Sequence, residues 1–354
     1  MILAGILLLI GLMILVKSSD YFVDYSSRLA EKLGVSKFVV GLTIVAFGTS
    51  LPELVSSVLA VLRGSPTLAI GNIIGSNVTN ICLILGLSAS LAVINIDKKM
   101  LYRDGFMMLL ASVILYMFML NGGIAFKEAV LMLVLFFMYT AYVVQTVPKR
   151  QTGFLIRLKD WFTIAKIRIL FGIIREFTLR PKGRYLTVSY HKEWFKVWHI
   201  KFKESAWSDL TLIFLSGILL WLGAEYTVKG AIILAMWLGI EANIIGLSVI
   251  ALGTSLPELV VSITSVKRGH FEILVGNVLG SNITNILLVG GLSGLGARVI
   301  PAAMDINYSA PFMIGVTVLL LLFMRSKWRL RHHEGGVLLT LYAGFILWIA
   351  SWFI

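Results

Sequence analysis

Glu53 and Glu258 are carboxylates placed where the sequence gives them no counter-charge. They lie in the fragments AFGTSLPEL (46–54) and ALGTSLPEL (251–259), and each apolar run around them has Lys or Arg only at its ends. A carboxylate in hydrocarbon costs several kcal/mol and usually marks an ion path or a proton relay. The ordinary alternative is a protonated Glu bonded to a neighbouring helix, which two recurrences at matching positions make less economical. Pro52 and Pro257 cannot donate to the carbonyl four residues back, so those of Gly48 and Gly253 lose their helical partners. Such carbonyls are tolerated at membrane depth only where something else satisfies them. A cation would serve, although an ordinary proline kink steadied by Thr49, Ser50, Thr254 or Ser255 would explain the prolines alone. Downstream, GNIIGSNVTN (71–80) supplies Ser76, Asn77, Thr79 and Asn80, and GNVLGSNITN (276–285) supplies Ser281, Asn282, Thr284 and Asn285. Ser76 and Asn80, four apart, share one helix face. Gly71, Gly75, Gly276 and Gly280 follow the small-xxx-small spacing that lets helices approach, a packing role. Carboxylates, hydroxyls, amides and carbonyls without sulfur or imidazole form an all-oxygen set, which suits hard cations and calcium above all.

These segments occur twice. VGLTIVAFGTSLPEL (40–54) and IGLSVIALGTSLPEL (245–259) are identical at ten of fifteen positions, and the GN segments at seven of ten. One offset of 205 residues relates both pairs, and it also carries Asp20-Tyr21 onto Glu225-Tyr226. Shared greasiness does not reproduce the same polar motif twice at one spacing.

The elements that must position these residues are membrane helices. The chain of 354 residues is 58% hydrophobic and 14% charged, against about 25% charged in soluble domains. Apolar runs of roughly 20 residues, enough to cross the bilayer, are expected at 2–24, 37–62, 67–93, 104–121, 125–146, 207–228, 243–266, 271–296, 306–324 and 335–354. The fold expected is an all-α polytopic membrane protein, its ten transmembrane helices forming two inverted five-helix repeats. Residues 1–146 make the first repeat, with its signature at 37–93; residues 207–354 make the second, with its signature at 243–296. An odd number of spans per half makes the second copy enter from the opposite side, which places a binding site near the midplane.

The net charge of +13 is a topology signal. With the N-terminus outside, all but four of the 31 Lys and Arg fall on the inner side, the exceptions being Arg63, Lys127, Lys229 and Arg298. Both termini are then outside, and a cell-membrane location is expected. Residues 2–16 lack the basic start and cleavage site of a signal peptide and are read as part of span 1. Residues 147–206 form a basic cytoplasmic linker. Its stretch 154–177 reads as an interfacial helix, and YHKEWFKVWHIKFK suits anionic lipid headgroups better than nucleic acid. Cys82 is the only cysteine, and the five histidines fall in connections without the partners of a zinc site.

GTSLPEL followed by GN(I/V)(I/L)GSN(V/I)TN, present in both halves, resembles the α-repeats of the sodium/calcium exchanger family within the cation/calcium exchanger superfamily. That resemblance covers everything but the linker. It implies a central calcium site of Thr49, Glu53, Thr254 and Glu258. It also implies flanking sodium sites using Ala46, Ser50, Ser76, Ala251, Ser255 and Ser281, with Asn80 and Asn285 at the middle. Potassium-dependent relatives carry an aspartate where Asn285 stands, and proton-coupled relatives usually read Gly-Asn-Ala-Thr-Glu where this chain reads Gly-Thr-Ser-Leu-Pro-Glu. The resemblance thus favours sodium-driven, potassium-independent antiport with no resident cofactor, the transported ions being its partners. With asparagine at both central positions only two acidic groups remain, and the number of sodium ions per calcium stays open, as does oligomeric state. Against this stand a proton/calcium exchanger using the same carboxylates and a passive cation channel with a Glu ring. No nucleophile–base pair suggests an enzyme.

Overall fold

The computed structural model describes residues 2–145, 206–237 and 251–351. Twelve helices carry the first and second halves. They are α1 (Ile2–Leu33), α2 (Lys37–Thr49), α3 (Leu51–Leu62), α4 (Pro66–Leu91), α5 (Met100–Leu120) and α6 (Phe126–Gln145). The second half has α7 (Ala206–Trp237), α8 (Ala251–Thr254), α9 (Leu256–Lys267), α10 (Phe271–Gly296), α11 (Asp305–Arg325) and α12 (His332–Ala350). Seven of these are long and apolar enough to cross a membrane, and the bent pair α2–α3 makes an eighth. Of the expected spans, 243–266 begins and 125–146 and 335–354 end outside the described residues, and the linker lies outside them apart from its last residue.

Both Pro52 and Pro257 lie in the first turn of a helix, where a missing N–H costs no intrahelical bond. The break falls at the serines two residues before them. Ser50 has φ −84° and ψ 6°, Ser255 has φ −88° and ψ 7°, and α2 meets α3 at 43°. Wide π-type turns, a common feature of functional helices, interrupt α4 at Thr79–Leu85 and α10 at Thr284–Val289.

The offset of 205 holds in space as well as in sequence. It carries Leu51–Leu62 onto Leu256–Lys267, Pro66–Leu91 onto Phe271–Gly296, and Met100–Leu120 onto Asp305–Arg325. Gly64 and Gly269 share a left-handed backbone (φ +78° and +71°), where a Cβ would be strained. Helices α1 and α7 run antiparallel. A Cβ on Gly223 would lie 2.7 Å from Leu15 N, and one on Gly230 2.6 Å from Leu8 N.

Both helices outrun the expected spans 2–24 and 207–228. Charges, read in sequence as the end of a span, are here matched across helices. Asp209 takes Lys32 at 2.6 Å and Arg28 at 3.1 Å, so α1 continues past the apolar zone, while α7 runs on beyond Lys229, which pairs with Glu225 of its own helix at 2.8 Å.

The rest of the chain packs around α4 and α10, with α12 against α4 and α6 against α10. Two connectors pair antiparallel: β1 (Ile94–Asn95) with β2 (Arg329–Leu330), and, in the equivalent place, Ile124 with Val299. Gly276 and Gly280 serve packing as expected, because a Cβ would meet Phe38 O at 2.5 Å and Leu42 O at 2.4 Å on α2, whereas among the described residues nothing lies within 4 Å of a Cβ on Gly71 or Gly75, where the expected close approach is not seen.

Candidate functional site

The two breaks bring both glutamates into the interior, each 1% exposed. Glu53 sits in the first turn of α3 and Glu258 in that of α9, the end of a helix dipole that favours negative charge. Each is held by the other half. Ser255 donates to Glu53 Oε1 at 3.2 Å and Ser50 donates to Glu258 Oε1 at 3.1 Å. Ser76 on α4 adds a donor to Glu53 Oε1 at 3.5 Å.

The threonines cross over in the same way. Thr49 donates to Asn277 Oδ1 at 3.1 Å and Thr254 to Asn72 Oδ1 at 3.5 Å. Thr49 also lies 3.4 Å from Ser281 Oγ and 3.3 Å from Ala46 O, and Ser281 Oγ reaches Ala46 O at 3.5 Å. Ala46, Thr49 and Ser281 thus form one cluster, and Glu53, Ser76 and Ser255 another. Ala251 opens α8 by its backbone.

Asn80 and Asn285 lie in the π-type turns and are wholly buried. Neither polar side-chain atom of either residue has a hydrogen-bond partner among the described residues, and the same holds for Glu53 Oε2 and Glu258 Oε2. Burying an amide without a partner costs about 1–3 kcal/mol, and an unpaired carboxylate far more. These oxygens need a ligand with positive charge and no directional demand. A hard cation fits, because calcium accepts six to eight oxygens of mixed type. Two carboxylates are the whole acidic complement, since no group of three His, Cys, Asp or Glu converges among the described residues.

Phe22 of α1, 1% exposed, covers the first break, and a Cβ on Gly48 would meet its ring at 3.1 Å. Val228 of α7 stands at the equivalent break, 2.5 Å from the place of a Cβ on Gly253.

The sodium/calcium exchanger protein profile matches residues 3–145 and 208–350, which is both halves without the linker. The chain belongs to this family. Among its relatives is the sodium/calcium exchanger MaX1 of Methanosarcina acetivorans, 36% identical over 97% of each chain. The inner membrane protein YrbG of Escherichia coli is 31% identical over 99% of this chain and 97% of its own. A solved structure of the sodium-calcium exchanger NCX_Mj, soaked with zero Na+ and Ca2+, superposes with a TM-score of 0.76 at 29% identity, covering 98% of each chain.

Set against this family frame, the motif reading missed Asn72 and Asn277. Asn72 Nδ2 donates to Ser57 Oγ at 2.9 Å and Asn277 Nδ2 to Ser262 Oγ at 3.3 Å, while each amide oxygen receives a threonine of the other half. A signal for them is present in the sequence, because both are part of the repeated segment, directly after its first glycine.

Proposed function

We propose that this family member is a secondary antiporter that exchanges Na+ for Ca2+ by alternating access, without potassium, through ten spans built as two inverted five-helix repeats. One observation carries the reading: two buried carboxylates, each held by a serine of the opposite half, share the interior with amides that have no partner among the described residues. Calcium would be held by Thr49, Glu53, Thr254 and Glu258. Sodium would use Ala46, Ser50, Ser76 and Asn80 from one half, and Ala251, Ser255, Ser281 and Asn285 from the other.

Exchange follows from charge. Calcium, or several sodium ions, neutralises the glutamates, whereas an empty site leaves negative charge in low dielectric and resists being occluded. Only loaded carriers then cross, so one ion's gradient drives the other. One-sided access is supported by α1, which lies along α9, whereas among the described residues α7 makes little equivalent contact with α3. Leu59 and Leu62 of α3 are left exposed. With the basic connections inside, the open side is outside, both termini face outward in the cell membrane, and the linker lies on inner anionic headgroups. Asn285, an amide at the position where potassium-dependent relatives have an acid, supports potassium independence.

The test is calcium uptake into vesicles loaded with sodium, potassium being absent from both sides. Uptake driven by the outward sodium gradient is expected. Uptake that answers only to a pH gradient would establish proton coupling instead, and flux without a counter-ion would establish a channel.

A further inference from the structure

The two ends of the repeat carry an arginine and an acid at matching positions, in different states. Arg268, which caps the end of α9, pairs with both Asp24 and Asp20 of α1, the latter at 3.2 Å. One turn deeper, Ser19 Oγ and Thr264 Oγ1 lie 2.8 Å apart and again join α1 to α9. The offset of 205 carries Arg268 onto Arg63 at the end of α3, and Asp20 onto Glu225 of α7. On that face the pair is parted. Glu225 is held by its own helix neighbour Lys229 at 2.8 Å, and Arg63 is exposed with no ion pair among the described residues.

We infer that Arg268 and Arg63 are alternating latches, Arg268 clamping α1 in the state described and Arg63 taking Glu225 from Lys229 in the opposite one. The inference rests on the alternating-access reading and adds to it the residues that set the balance of states. Symmetry supplies the argument: an inverted repeat reaches its second state by giving each half the arrangement the other half has now. The parted pair is what a latch looks like on the open side, and an ordinary surface ion pair would have no reason to come with such a mate.

The latches are unequal in chemistry. Lys229 stands where Asp24 stands in the first half, and Ala224 and Leu59 replace the hydroxyl pair Ser19 and Thr264. One arginine on two carboxylates faces one carboxylate contested by a lysine, so the Arg268-latched state is favoured at rest. Partly exposed ion pairs contribute little to folding. A two-state equilibrium near balance is more sensitive, and losing one latch shifts the ratio of states about fivefold.

Hydrogen–deuterium exchange of the full chain in liposomes tests this, comparing peptides around 18–33 and 262–270 with those around 55–64 and 222–234. Arg268→Gln should raise exchange in the first set and lower it in the second, with the state ratio moving about fivefold. Arg63→Gln should do the reverse. Lys229→Asp, which gives the second latch its missing carboxylate, should act in the same direction as Arg268→Gln, and Arg268→Lys should stay near wild type. The double variant Asp20→Asn, Asp24→Asn repeats the test from the other partner if Arg268→Gln does not fold. Unchanged exchange on both faces in these variants, while wild-type calcium uptake still requires sodium on the far side, would overturn the latch alone. Wild-type uptake needing no counter-ion would overturn the alternating-access reading and the latch with it.

Discussion

Ser255 and Glu53, 202 residues apart in the chain, share a hydrogen bond of 3.2 Å at the centre of the protein. The bond from Ser50 to Glu258, 3.1 Å long, repeats it with the halves exchanged. Each carboxylate is therefore oriented by a residue that moves with the opposite helix break. The site exists only as a joint product of both halves.

Glu53→Gln and Glu258→Gln should each weaken calcium binding by at least about a hundredfold while the fold is kept, since each removes half the acidic charge. Titration calorimetry beside a melting curve reads both quantities. Near-normal affinity in a folded variant would take that glutamate out of the site.

Asn277→Ala should take from Thr49 its shortest acceptor, leaving the longer contacts to Ala46 O and Ser281 Oγ, and leave Ser262 without its donor. Loss of a buried hydrogen-bonded amide costs about 1–3 kcal/mol, so a lower melting temperature is expected together with roughly tenfold weaker calcium binding. A fall in melting temperature with unchanged affinity would confine Asn277 to a scaffold role.

Gly280→Ala should push α10 away from α2, because the new methyl would lie 2.4 Å from Leu42 O and 2.7 Å from Ala46 Cβ. Overpacking of this kind costs about 1–3 kcal/mol. Since the strain falls on Ala46, sodium affinity should drop along with the melting temperature. Normal values of both would show that the helices separate freely.

Replacing Thr49 and Ser50 together by alanine, or Thr254 and Ser255 together, should weaken sodium activation mainly on one side of the membrane, a different side for each pair. Half-maximal sodium concentration, varied separately inside and outside sealed vesicles, measures this. Equal shifts on both sides for both variants would favour a pore entered from either direction.

The repeat was legible because polar motifs returned at one offset, and a shared apolar bias cannot do that. Glu53 and Glu258 were legible because an unpaired carboxylate in an apolar run has few uses. What could not be read was pairing across the halves. Nothing local tells Ser50 that its acceptor is 208 residues away, since that depends on how the two copies pack against each other. The true end of α1 escaped for a related reason, as Asp209 cancels Arg28 and Lys32 only after the two helices lie side by side. Asn72 was hidden in plain view, its partners Thr254 and Ser57 lying on two other helices.

The crossed connectors bear on how the protein is made. β1 waits for β2, and α4 waits for α12, so the first half finds its closing partners only after residue 329 has been synthesised. Until then a nascent chain holds the Glu53 break in the bilayer without Ser255, and an unpaired strand at one face. Such half-built cores are the species most prone to misassembly.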